Sequence, residues 1–287
     1  MVQAPAEVAE AEAEGKVKAT YEDIKSTLRV PVVNLVFRLL AAHPDFLETG
    51  WVELKPNAQT VFFEQQADAI RAVAVDAVAG LGQAPAAPDD EARKVLAVFH
   101  YINPKLLLAV GALRAATRGQ QPKLSVLSAD QKRQITPGIP SGAPARIELV
   151  DATNAVPPLS VVFADIQTSL GVDVINTDYR ALANWPAYFE QAWAAVKAIL
   201  DEPEYQRALW EMRQYVEEAV VALPYRMDLN PHVLRQAGLG ESDLEAVQDI
   251  LTSFYRLLPG LIANVAFLAA GAVGSDGGRS PFPATVL

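Results

Sequence analysis

Apolar residues recur along the chain at three- and four-residue steps, as in Ile24, Leu28, Leu35, Leu39 and Leu40, and again in Ile70, Val73, Ala74, Ala77 and Val78. That spacing lays them along one face of a helix. Prolines punctuate the runs at Val30-Pro31, His43-Pro44 and Asn184-Trp185-Pro186. The last two read as helix starts, where an absent N–H leaves nothing unpaired. Sustained period-2 alternation is missing, apart from a short stretch at Ala145–Val150 that could be extended. The pattern predicts an all-α protein. One uncharged run, Leu257–Gly274, approaches the length of a membrane span, but it contains Pro259, Gly260 and Asn264. We read it as a buried core helix.

The pattern is used twice. Residues 21–55 align without gaps to residues 163–197, with identity at thirteen of 35 positions; average composition gives about two or three. The shared residues include Asp23/Asp165, Asn34/Asn176, Arg38/Arg180, Pro44/Pro186 and Trp51/Trp193, all at an offset of 142. After an insertion near Asp228–Ser242 the offset becomes 155, and 99–113 meets 254–268, pairing Phe99 with Phe254 and Pro104 with Pro259. The predicted fold is therefore two homologous helical repeats packed as an intramolecular pseudo-dimer and joined by a long loop. The expected organisation is an acidic helix or tail at 1–20, repeat 1 at 21–116, a linker strap at 117–162, repeat 2 at 163–273, and a poorly ordered tail at 274–287. Pairing of whole chains into a homodimer is left open.

Composition narrows the chemistry. The 287 residues carry 34 acidic against 24 basic side chains, a net charge of −10. Nucleic acid and anionic membrane are poor partners for such a chain, because either needs cationic surface. There is no cysteine, and the three histidines, His43, His100 and His232, are scattered. Thiolate chemistry and Cys-ligated metal are excluded, no metal site is expected, and a carboxylate becomes the leading candidate base. The first fifteen residues lack the basic start and apolar stretch of a secretory signal, so a cytoplasmic location is expected. Walker, GxGxxG and GxSxG motifs are absent.

Duplication supplies an internal control. Positions kept in both copies serve the shared fold on first reading: helix capping for Asn34/Asn176 and ion pairing for Arg38/Arg180. Two exchanges break the symmetry. Val36 is replaced by Asp178, and Asn103 by Leu258. In each pair one copy is apolar, as a buried position should be, and the other is polar, a costly placement that often marks function. Plainer readings exist. Asp178 sits in a first helical turn, where any carboxylate is stabilised, and Asn103-Pro104 has the pattern of an N-cap followed by a first helical residue, with Leu258-Pro259 starting the counterpart helix. If the exchanges are functional, they fit one asymmetric site between the units. The symmetry-related site, lined by Val36 and Leu258, would then be lost. A lone buried carboxylate can attack carbon itself or take a proton from an attacking water. N–H groups of a helix beginning at Pro104 could hold a small anion.

The duplicated helical unit and the VINTDYR segment containing Asp178 resemble the group I 2-haloacid dehalogenases, whose family is labelled halocarboxylic acid dehydrogenase. The likeness spans about residues 20 to 275. It implies a hydrolase for short 2-halocarboxylic acids of both hands, needing no cofactor. An aspartate, falling on Asp178, would activate a water that displaces halide directly from the α-carbon with inversion. The family's positioning asparagine falls on Asn103, the serine before the aspartate on Thr177, and an aromatic pocket wall on Phe37, beside Val36. Three positions depart from the family pattern: Asn34 stands where a pocket tryptophan is expected, Asn176 where a small residue is, and Leu106 where a tyrosine is. The alternative is a non-catalytic helical module that binds a small carboxylate or a protein partner.

Overall fold

The computed structural model describes residues 7–123, 127–273 and 279–287, with the side chains of 271–273 left aside. Twelve helices are found among them: α1 (Gly15–Leu28), α2 (Leu35–Leu40), α3 (Pro44–Ala58), α4 (Val61–Val78), α5 (Asp90–Thr117), α6 (Ala129–Lys132), α7 (Leu159–Leu170), α8 (Thr177–Leu182), α9 (Pro186–Lys197), α10 (Pro203–Val221), α11 (Pro231–Gln236) and α12 (Glu241–Val273). Pro44 and Pro186 stand in the first turns of α3 and α9, as read from the sequence. Residues 145–150, expected to be extended, form no strand; the β-type pairing among described residues is limited to isolated bridges, Thr60 with Gln134 and Ile135 with Val286.

Helices α5 and α12 make the most extensive helix–helix contact and form the centre of the molecule, with α4 and α10 packed on both. Both central helices are long and apolar enough to cross a membrane, yet the greater part of each is buried inside the fold. Gly111 lets α5 approach α10, since a Cβ there would lie 2.6 Å from Val216 Cγ1. On the periphery α1 pairs with α3 and α7 with α9. In each outer layer a tryptophan indole donates to an aspartate, Trp51 to Asp23 and Trp193 to Asp165, both at 2.7 Å. Two short helices of six residues each cross over: α2 packs on α12, while α8 packs on α5.

Pro104 and Pro259 correct the reading of helix starts: both lie inside long helices, α5 and α12. Proline in a helix interior frees the carbonyl four residues back. Arg71, reaching over from α4 and fully buried, supplies the donors: its Nε bonds the His100 carbonyl at 2.9 Å and its Nη2 the Tyr101 carbonyl at 3.2 Å. Just beyond, the buried Lys105 pairs with Glu64, which also accepts from the Tyr101 hydroxyl at 2.8 Å. Burial pulls the Lys105 amine down to about 8, opposed by Glu64.

The tail expectation also needs correction. Residues 274–278 lie outside the described set, but 279–287 are bonded to the body of the fold, through Thr136 N to the Thr285 carbonyl and Leu287 N to the Gln134 carbonyl. Phe282 is buried edge-on against Tyr101, and Arg29 donates to the carbonyls of Phe282 and Pro283. Arg29 ends α1 in the left-handed conformation, φ 64°, where α7 uses Gly171 at φ 63°. The side-chain bonds of Arg29 offset the strain a Cβ brings to that region. The strap between α5 and α7 crosses the surface, bonding to α10 through Lys123 N, to the α3–α4 junction through Ile135 N, to α1 through Gly138 N and to α8 through Val150 N.

Candidate active site

The crossed helices α2 and α8 meet at their N-terminal ends. Asn34 and Asn176 hold the N-cap positions, but neither side chain makes a capping bond. The capping reading of that pair is therefore replaced by another arrangement. Thr177 Oγ1, on α8, accepts the backbone N–H of Leu35, on α2, at 2.9 Å, and the buried Arg38 guanidinium reaches the same oxygen at 3.3 Å. Arg38 and Arg180 both pair with Glu7, at 3.5 and 2.8 Å, so the ion-pair reading of the two arginines stands, with one acid serving both.

Between these helix ends and the middles of α5 and α12 lies a small cavity with about 10 Å³ of space for water centres, room for about one molecule. Its lining comprises Asn34, Leu35, Val36, Asn103, Leu106, Asn176, Thr177, Asp178, Phe254, Leu258 and Leu261. Ten of these eleven are five pairs at the sequence offsets of 142 and 155: Asn34/Asn176, Leu35/Thr177, Val36/Asp178, Asn103/Leu258 and Leu106/Leu261. Seven of the eight residues singled out from sequence thus share one cavity. The eighth, Phe37, does not line it. One helical step, about 100°, separates it from Val36, and its ring packs edge-on against Trp51, centroids 6.0 Å apart. A second correction concerns Val36 and Leu258, expected to line a separate, abandoned site. They face Asp178 and Asn103 across the same cavity, because the crossed short helices bring all four positions together.

Asp178 is the one ionisable residue on this lining and is only 2% exposed. Its Oδ1 accepts the Tyr179 backbone N–H at 3.0 Å, and its Oδ2 lies 3.4 Å from the donating amide of Asn103. Burial pushes its carboxyl up to about 6, against the pull of those two bonds. The Pro104 correction has a consequence for charge: no helix begins at Asn103, so the first-turn N–H groups expected there to hold an anion are absent.

Sequence reasoning missed the support behind Asp178. The Asn264 amide donates to the Tyr179 hydroxyl and accepts from the Tyr205 hydroxyl, both at 2.8 Å. The same signal that singled out Asp178 would have found it, since the first-unit counterparts are Phe37, Ala109 and Phe63. Leu261 was reachable likewise, as the mate of Leu106. Phe254 was read as core; it is buried and lines the cavity as well.

Comparison with known proteins identifies the family. Residues 31–179 match the model of a family described as halocarboxylic acid dehydrogenase DehI. A curated (R)-2-haloacid dehalogenase of Pseudomonas putida is 31% identical over 277 residues, 90% of this chain and 89% of that protein. A configuration-inverting 2-haloacid dehalogenase of Alcaligenes xylosoxydans xylosoxydans is 29% identical, covering 94% of both chains. Among solved structures, a D-2-haloacid dehalogenase in complex with L-LA superposes with a TM-score of 0.87 at 28% identity, over 94% of this chain and 97% of that one. Similarity of this extent, with the fold matched from end to end, establishes that the chain belongs to the halocarboxylic acid dehydrogenase DehI family, the family of the 2-haloacid dehalogenases.

Proposed function

We propose that the protein hydrolyses short 2-haloalkanoic acids to 2-hydroxy acids and halide, with Asp178 as general base toward a water that attacks the α-carbon. The observation that carries this reading is a single buried carboxylate facing a water-sized cavity beside the Asn103 amide. A base whose proton affinity lies near 6 is ionised at neutral pH and can still accept a proton in the transition state. The water oxygen bonds to the α-carbon as the carbon–halogen bond breaks, halide leaves with the electron pair, and the water proton passes to Asp178 and then to solvent. Asn103 orients the water. The substrate carboxylate is oriented by the Thr177 hydroxyl, which the Arg38 guanidinium backs. Val36, Leu106, Leu258 and Leu261 make the apolar wall on which a short alkyl group rests, and the amides of Asn34 and Asn176 bound its length.

Inversion, the property named for the Alcaligenes relative, does not separate a water attack from a covalent route. An ester formed on Asp178 and hydrolysed at its acyl carbon would invert once as well. What favours water is the cavity beside the carboxylate, which has room for about one water molecule. Two measurements test the reading. Racemic 2-chloropropionate should release chloride, and Asp178→Asn should reduce that release by about a hundredfold to ten-thousandfold, the usual worth of a positioned base; undiminished release refutes it. Single turnover in ¹⁸O-water should label the product alone, and label found in Asp178 would establish the covalent route instead.

A further inference from the structure

As it stands the inner cavity has room for the attacking water, so its walls must move to admit the substrate proposed above, a charged acid of six heavy atoms. A second, larger concavity of about 770 Å³ lies beside it, bounded by the α7–α8 loop, the C-terminal end of α9, the start of α10 and one face of α12. That is a size typical of small-molecule pockets. It holds no buried carboxylate of its own. Two residues, Leu35 and Phe254, line both spaces, which places them where the two adjoin. Four charged residues bound the groove: Asp173, Lys197, Asp201 and Arg256. Lys197 is engaged by Asp165 at 2.7 Å, whereas Arg256 is exposed and forms no ion pair among the described residues.

We propose that this groove is the entrance through which the halocarboxylate reaches Asp178, with the Leu35 and Phe254 side chains as its gate and Arg256 as the first cation the substrate meets. The proposal rests on the reaction assigned above. Both gate residues are apolar and project from elements, α2 and α12, that already pack on each other. Rotation of either side chain joins the two spaces without unfolding a helix. The gate also selects: passage favours a short α-substituent, and the length limit sits here as much as at Asn34 and Asn176.

The chain contains no cysteine, so a single introduced thiol can be labelled uniquely. Ser169 and Ser253 are exposed and line the groove from two different helices, α7 and α12, whereas Ser242 is exposed and does not line it. Ser169→Cys and Ser253→Cys should be active until coupled to a fluorescein maleimide, which should then lower kcat/KM for 2-bromopropionate at least about tenfold, one decade of barrier. A methylthio tag at the same thiols should have a smaller effect, and labelled Ser242→Cys should match the unlabelled protein within about twofold. Phe254→Ala should raise kcat/KM for 2-bromohexanoate relative to 2-bromopropionate by about tenfold. Full activity in both groove-labelled variants overturns the entrance, and an unchanged substrate ratio in Phe254→Ala overturns the gate. Absence of halide release from the unlabelled wild-type protein is a different result: it refutes the reaction, and the entrance falls with it.

Discussion

The charged form of Asp178 is held at the expense of the fold. Its carboxyl titrates near 6 in the folded protein against 3.8 in the free side chain, because burial penalises the charged form more than Tyr179 and Asn103 favour it. In the reaction proposed, the ionised form is the active one. We therefore expect kcat/KM to rise with pH through about 6 and to level off above it; a profile flat from pH 4.5 to 8 would remove Asp178 as base. For stability the sign is opposite. Between 3.8 and 6 the folded state binds more proton than the unfolded chain, so stability falls as pH rises through that window and stays low above it. A gap of about two pH units corresponds to roughly 3 kcal/mol, an order of magnitude only. Asp178→Asn should then be more stable than wild type at pH 7.5 by roughly 1–3 kcal/mol, with the gain vanishing below about pH 4 in urea melts across pH. A variant equally stable at all pH would mean that the carboxylate is not penalised where it sits. Asp178 and Asn103 were legible in sequence because each faces an apolar mate. Phe37 was not placed correctly, since the likeness that nominated it carries residue types but not the helical phase that turns it toward Trp51.

At the scale of elements, α5 depends on a side chain from another helix. Arg71 bonds the carbonyls around the Pro104 break, and nothing near Asn103-Pro104 in the sequence indicates this. An N-cap followed by proline looks locally the same as a proline inside a helix. The decision is made by α4, some thirty residues earlier, which is why the helix start was misread. Arg71→Met should lower stability by about 3–5 kcal/mol, as expected when buried polar groups lose their partner. In a Pro104→Ala background, where residue 104 regains its N–H for the His100 carbonyl, the same substitution should cost at least about 1 kcal/mol less. Equal costs in both backgrounds, measured by chemical denaturation, would show that Arg71 does not act through the break. Because Asn103 adjoins the break, Arg71→Met should also reduce kcat more than it changes KM.

For the molecule as a whole, the described part of the C-terminal tail closes the first unit. Phe282 covers Tyr101, and Arg29 is bound by two tail carbonyls. Phe282→Ala should lower stability by about 3 kcal/mol, as other buried phenylalanines do, while leaving the chloride-release rate of the folded protein unchanged; a shift below about 0.5 kcal/mol would mark the tail as unattached. Its Gly- and Pro-rich composition hid this, since such a stretch signals looseness unless a pocket elsewhere accepts its one large aromatic. The helical class, by contrast, was plain from spacing, because periodicity is a local property and packing only has to agree with it. The crossing of α2 and α8 was not visible, and it alters what the matched residues mean. With aspartates at 36 and 178 and asparagines at 103 and 258, opposite walls would be equivalent, and a substrate could be attacked from either side. Val36 and Leu258 silence one of the two walls. On the mechanism proposed, the reaction then has a single direction through the cavity, and each chain has one turnover centre.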